Sequence, residues 1–500
     1  MNQRIAGITV VVWLALPALP VWADVKLNGL LSDGAVLEQS KPVPVWGSAA
    51  EGEKVTVEFE GQKASTVAKD GRWSVRLKPL KPGGPFTMTI QGNNTVNLTN
   101  VLVGEVWLCS GQSNMEFPLS RAANAEEAIA ASADSQLRLF TVPRASSDTP
   151  KTEITGSWKE SGPHAATNFS AVAWFFGRDL RKARGVPVGL IHSSVGGTPA
   201  EAWTSRETLE ADPELNQILA RYAETVKKFD PEKAKAAHEE ALQKHREAVA
   251  LAQSEGRPPP RAPRAPQDPS HSLTRPCGLY NAMIAPLQPY SIAGVIWYQG
   301  ESNSGRAAEY RKLFPAMIRN WRQAWDEGNF PFLFVQIAPE KDMTPEIREA
   351  QLLTWQTVPH TAMAVITDVG EENDIHPTKK EPVGARLALA ARAVAYGEKI
   401  EYSGPLYNSI KIDGDRAILS FTHTGSGLSA PDGDLKGFTI AGADGNFLPA
   451  TAMIKGEKVI VRSASVAHPM AVRYGWAHTP EVNLFNNEGL PASPFRTDVK

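Results

Sequence analysis

Four apolar runs, each ending in a polar turn that contains glycine, constrain the fold of this chain more than any other feature of its sequence. Val103–Leu108 leads into Ser110-Gly111-Gln112-Ser113-Asn114-Met115, and Gly189–His192 into Ser193-Ser194-Val195-Gly196-Gly197-Thr198. Val295–Tyr298 leads into Gln299-Gly300-Glu301-Ser302-Asn303, and Ala362–Thr367 into Asp368-Val369-Gly370-Glu371-Glu372-Asn373-Asp374-Ile375-His376-Pro377. A further apolar run, Phe332–Gln336, lies between the last two, and helical stretches separate the runs. Strand, helix, strand in succession implies a parallel sheet. In open sheets of this kind ligands bind beyond the carboxyl ends of the strands, where these polar turns fall.

The pattern differs on either side. From Val25 to about Thr99 short alternating runs such as Lys54–Phe59 and Trp73–Leu77 are broken by Gly, Asp and Pro turns, which suggests a small β-sandwich. After Ile400 the same signature returns in Ala417–Phe421, Gly437–Ile440 and Val459–Arg462. The expected organisation is a β domain over 24–100, an α/β domain over 101–398 and a second β domain over 399–500. An insertion at about 207–272 interrupts the central domain. It is rich in Ala, Glu and Lys, pairs Glu240 with Lys244 on one helical face, and ends in a run of prolines. It reads as a solvated helical arm with a stiff linker.

At the N-terminus Arg4 precedes an apolar run, and Val21-Trp22-Ala23 supplies small residues before Asp24, the pattern of a secretory signal peptide over 1–23. That run is too short and too Pro-interrupted for a stable membrane span, so an exported protein, periplasmic or extracellular, with no membrane insertion after cleavage is expected. A formal charge of -2, without basic clusters interleaved with aromatics, points away from nucleic acid and anionic membranes and toward a neutral substrate. Two cysteines, Cys109 and Cys277, are too few to staple a scaffold, and Cys109 at the end of an apolar strand is expected to be a buried free thiol.

The strand-end turns hold the reactive residue types. Ser113 offers a hydroxyl beside Gly111, but it needs a base and oxyanion donors to react. The Gly196-Gly197 turn can present a backbone N–H outward, and Gln299 places an amide at another strand end. His376 is the one histidine with carboxylates close by on a post-strand loop, so a candidate serine, acid and imidazole follow one another along the chain. Glu371, Glu372, Asp374 and His376 cluster without the spacing of a zinc site, and no metal is expected. Trp107, Trp203, Trp297 and Tyr298 read as core residues, with stacking on a sugar ring as the alternative.

Through Gly111-Gln112-Ser113-Asn114-Met115, Gly196-Gly197-Thr198, Gln299-Gly300-Glu301 and Asp374-Ile375-His376-Pro377 the central region resembles the SGNH hydrolases. It resembles more closely the sialate O-acetylesterase and related carbohydrate acetylesterase families. The resemblance implies a three-layer α/β/α domain with a parallel sheet, flanked by β-sandwich-like regions. It also implies a secreted serine esterase that removes acetyl groups from sugars, 9-O-acetylated sialic acid first among them, without a cofactor. Acetylxylan or pectin-type acetylesterase is the alternative substrate reading, and a non-catalytic carbohydrate-binding protein the alternative class. Carried over by residue, Ser113 is the nucleophile and His376 the base. The N–H groups of Ser113 and of Gly196 or Gly197, with the Gln299 amide, form the oxyanion hole, and Gln112, Asn114 and Glu301 support the site. The SGNH pattern has its acid three residues before the histidine, where this chain has Asn373. Asp374, Asp368 or a Ser–His dyad without an acid are the readings left open. The pattern's Asn in the third block is Gln299 here, with Asn303 nearby.

Overall fold

The computed structural model describes residues 24–498, so the expected signal peptide lies outside the described residues. Seven strands make the central sheet: β1 (Thr95–Gly111), β2 (Asp134–Thr141), β3 (Lys159–Ser161), β4 (Val188–Ser194), β5 (Gly294–Tyr298), β6 (Phe332–Val335) and β7 (Thr361–Ala364). Their spatial order is β3-β2-β4-β1-β5-β6-β7, and all neighbours are parallel except the edge strand β3. The chain winds from β1 outward to β2 and back to β4 on one side, then resumes with β5 on the other. The direction of winding therefore reverses at β1, and a ligand crevice is expected beyond its carboxyl end.

Residues 101–111 of β1 are all buried, as expected of a strand covered on both faces. Val106 and Leu108 face one apolar cluster and Trp107 and Cys109 the other, following the two-residue period of a strand. On the first face lie the helices α5 (Ala307–Trp325) and α6 (Pro345–Thr357), through Tyr310, Phe314, Trp321 and Ile347. On the second lie α2 (Ala171–Arg184) and α7 (Glu381–Val394), through Val172, Phe176, Val383 and Leu387. Trp107, Trp203, Trp297 and Tyr298 are all fully buried, so they are core. Trp297 meets Trp203 and Trp321 edge-on, with ring centroids 6.0 and 5.6 Å apart. Cys109 and Cys277 are free, buried thiols.

β1 also continues backward across residue 100. Its first half pairs antiparallel with Gly83–Gln91, and Val36–Glu38 runs parallel beside Leu102–Gly104. The N-terminal β region is thus fastened to the central sheet by a shared strand, and the boundary expected near 100 falls inside it. At the other end, two four-stranded sheets share a core that includes Leu419, Val459 and Val461 from one and Ile440, Val472 and Tyr474 from the other. This unit docks on α6, where Arg496 holds Glu349 at 2.7 Å.

The insertion forms α3 (Pro213–Lys228) and α4 (Pro231–Ser254), each with an aspartate N-cap and proline at its first position. Ala252 is the buried residue of α4, and Glu240 and Lys244 pair at 2.7 Å. α4 is therefore a solvated projection, whereas α3 sends Leu215 and Ile218 into the main core.

Candidate active site

β1 stops at Gly111 because its backbone there presses against β5. A Cβ on Gly111 would lie 2.1 Å from the Tyr298 carbonyl oxygen, and φ is +143°, so glycine is required. The Gln112 N–H then donates to Tyr298 O at 3.0 Å, while Gln112 Oε1 accepts from the Ser302 N–H at 3.2 Å. The one-turn helix α1 (Ser113–Glu116) starts at once and sets Ser113, half-buried, just beyond the carboxyl end of the central strand.

Ser113 Oγ lies 2.8 Å from His376 Nε2, across 263 residues of chain. His376 stands on the loop after β7, shaped by Asp374, whose Oδ1 accepts the His376 N–H at 2.9 Å. The same oxygen is 3.6 Å from Nδ1, beyond hydrogen-bond length, so it acts on the ring through charge. Asp368 is committed elsewhere, both of its oxygens being held at 2.7 Å by Arg386. Of the two aspartates, Asp374 is therefore the one beside the imidazole. Burial pushes the His376 imidazole below its ordinary value of 6.5, against the pull of Asp374 and with help from Lys380, Arg121 and Arg261. The ring is thus neutral and able to accept a proton at neutral pH.

The backbone donors are close at hand. The N–H of Ser113, first in its helix, and that of Gly197 have no acceptor among the described residues. Gly197 has φ +73°, the positive value expected of such a turn. Gly196 stands against the nucleophile, since a Cβ there would lie 3.3 Å from Ser113 Cβ, but its N–H already donates to Glu116 Oε2 at 2.9 Å. Glu116 in turn pairs with Arg144. Gln299 corrects the sequence expectation. It is fully buried, and both protons of its amide are taken, by Thr198 O at 3.3 Å and Asn303 Oδ1 at 2.7 Å, so it braces two loops and aims no donor at Ser113.

Behind Ser113 lies a buried polar network that the sequence shows only in part. Asn114 Nδ2 donates to Glu301 Oε1 at 2.6 Å and to Ile375 O at 2.9 Å, while its Oδ1 accepts from Lys380. One amide thus ties the nucleophile's helix to the histidine's loop. Lys380 has no exposed surface, sits 4.7 Å over the Phe117 ring and is pushed by burial down to about 7. A second Ser–His contact, His192 Nε2 to Ser194 Oγ at 2.6 Å, lies two residues apart on one face of β4 and went unread. Burial, then Arg144, drives His192 down to about 4, and its Nδ1 has no partner to support an imidazolium, so it is a poor base.

Both pairs line a cavity of 480 Å³, together with Glu116, Arg121 and Arg144. That volume suits a sugar unit. No group of three or more His, Cys, Asp and Glu side chains is placed to hold a metal ion among the described residues, and none of the described helices is long and apolar enough to cross a membrane.

Comparison with known proteins places this architecture. The family model described as carbohydrate esterase, sialic acid-specific acetylesterase matches residues 272–393. A solved carbohydrate acetylesterase from Xanthomonas citri superposes with a TM-score of 0.81 at 40% identity, covering 95% of this chain and 100% of its own. The protein is a carboxylic ester hydrolase. The sialate O-acetylesterase of Rattus norvegicus is 33% identical over 93% of this chain and 93% of its own, and that of Homo sapiens 30% identical over 97% and 96%. The chain belongs to the sialate O-acetylesterase family.

Proposed function

We propose that the protein is an exported serine esterase that removes O-acetyl groups from sugars, 9-O-acetylated sialic acid first among them. Its central sheet with helices on both faces is then an SGNH-type three-layer domain, and the flanking β regions are sandwich-like frames for the glycan. The observation that carries this reading is the 2.8 Å contact of Ser113 Oγ with a neutral His376 at the mouth of the cavity.

His376 takes the Ser113 proton as Oγ attacks the acetyl carbonyl, and the N–H groups of Ser113 and Gly197 meet the developing oxyanion, joined by that of Gly196 once Glu116 has left it. Each such donor is worth about 2.7–4 kcal/mol at the transition state. The protonated His376 then donates to the departing sugar alcohol, leaving acetyl-Ser113. A water deprotonated by His376 attacks the acetyl-enzyme, and His376 returns that proton to Ser113 Oγ as acetate leaves. Asp374, 3.6 Å from Nδ1, steadies the imidazolium in both halves, and no step calls on a cofactor. Acetate release from 9-O-acetylated N-acetylneuraminic acid, compared with release from acetylated xylan, tests the substrate. The sialate reading expects the first to be preferred by at least about tenfold in kcat/KM, about 1.4 kcal/mol in the transition state; the reverse order rejects it. Binding of either glycan without any acetate release would favour the non-catalytic alternative.

A further inference from the structure

The Gly196 N–H can make one good hydrogen bond, and at rest it makes it to a carboxylate. Glu116 Oε2 accepts that N–H at 2.9 Å while Oε1 pairs with the Arg144 guanidinium. Gly196 abuts Ser113, so this carboxylate oxygen occupies the Gly196 donor that an acyl oxygen on Ser113 would use. It cannot stay there through the reaction: it would deny the oxyanion a donor and repel its charge. Its departure has a second consequence. Arg144 loses its counter-ion in a cavity where Arg121 also lines the wall and where Arg261 and Lys380 act on His376.

We propose that Arg144 is the specificity-determining residue that receives a carboxylate carried by the substrate, and that Glu116 is its resting partner, released as the acetyl oxygen takes the Gly196 N–H. The inference rests on the serine-esterase reading and deepens it by naming the residue that holds the carboxylate of an O-acetylated sugar acid. The geometry favours this exchange for three reasons. Arg144 lines the cavity with its side chain 61% exposed and so is open to a ligand, whereas Glu116 is 23% exposed and held from both sides. A substrate carboxylate replaces one charged hydrogen-bond acceptor with another, so binding leaves no unpaired cation. A neutral sugar offers no such replacement. The overall charge of -2 suggested a neutral substrate, but the local arrangement of Arg121, Arg144 and Arg261 outweighs it at the site.

The test compares acetate release from 9-O-acetylated N-acetylneuraminic acid with release from the same compound as its carboxyl methyl ester, which removes only the charge. The wild type is expected to prefer the free acid by about 10- to 100-fold in kcat/KM, the range of a hydrogen bond to a charged group. Arg144→Met is expected to abolish the preference and Arg144→Lys to keep part of it. Glu116→Gln, which strips Arg144 of its resting counter-ion, is expected to lower KM for the free acid more than for the methyl ester. Equal rates on the two forms in the wild type, or a preference that survives Arg144→Met, overturn the inference while leaving the esterase intact. Loss of hydrolysis even of p-nitrophenyl acetate in the wild type is the separate failure of the serine-esterase reading itself.

Discussion

His376 works only while neutral, and its surroundings set the pH at which that holds. Burial lowers its affinity for a proton, Asp374 raises it, and Lys380 and the arginines lower it further. The acid limb of kcat/KM on p-nitrophenyl acetate should therefore fall below pH 6.5, the ordinary imidazole value. Asp374→Asn removes the upward pull, so that limb moves lower still while kcat drops about 3- to 30-fold, a modest loss for an exposed carboxylate that does not reach Nδ1. Asp368→Asn leaves the buried Arg386 half-paired, and its cost should appear in the melting temperature rather than in kcat. Lys380 gives a second pH signature. Its folded-state value of about 7 lies below the ordinary 10.5, so between those values the unfolded chain binds more protons and stability rises with pH. Urea denaturation at pH 7 and pH 9 should show that rise, of up to about 1.4 kcal/mol per pH unit, and Lys380→Met should flatten it.

At the scale of elements, the site depends on how closely β1 and β5 approach. Gly111→Ala would push a Cβ into the Tyr298 carbonyl, splay the two strand ends and shift α1 with Ser113, so both activity and melting temperature should fall sharply. Gly305→Ala, with open space around the added carbon, should change stability by less than about 0.5 kcal/mol. Much of this level was legible in the sequence. The runs ending at Leu108, His192 and Tyr298 are β1, β4 and β5, three of the five interior strands of the central sheet, because strands buried on both faces read as continuously apolar. The continuity of β1 across residue 100 was not legible, since the change of pattern there reads as a domain boundary and only pairing with Gly83–Gln91 shows that one strand serves both regions. Gln299 misled for a related reason: an amide at a strand end was visible, but its direction depends on Thr198 and Asn303 from neighbouring loops.

On the scale of the whole molecule, function concentrates where the sheet's winding reverses and thins out toward the arm. Replacing Lys233–Leu251 of α4 by a short Gly/Ser linker should leave kcat/KM on p-nitrophenyl acetate within about twofold, because that segment contributes nothing to the core. The contacts least visible in the sequence, Glu116 with Gly196 and Arg144 and Asn114 with Lys380, join residues separated by between 28 and 266 positions. Composition averages such local charges away, which is why the -2 total said so little about the cavity. Two serines in that cavity touch a histidine, Ser113 and Ser194, and the account stands on the first. Intact-mass and peptide mass spectrometry after treatment with a fluorophosphonate separates them: one adduct per chain, on Ser113 and absent from Ser113→Ala, is predicted, whereas an adduct on Ser194, or one that persists in Ser113→Ala, would contradict it.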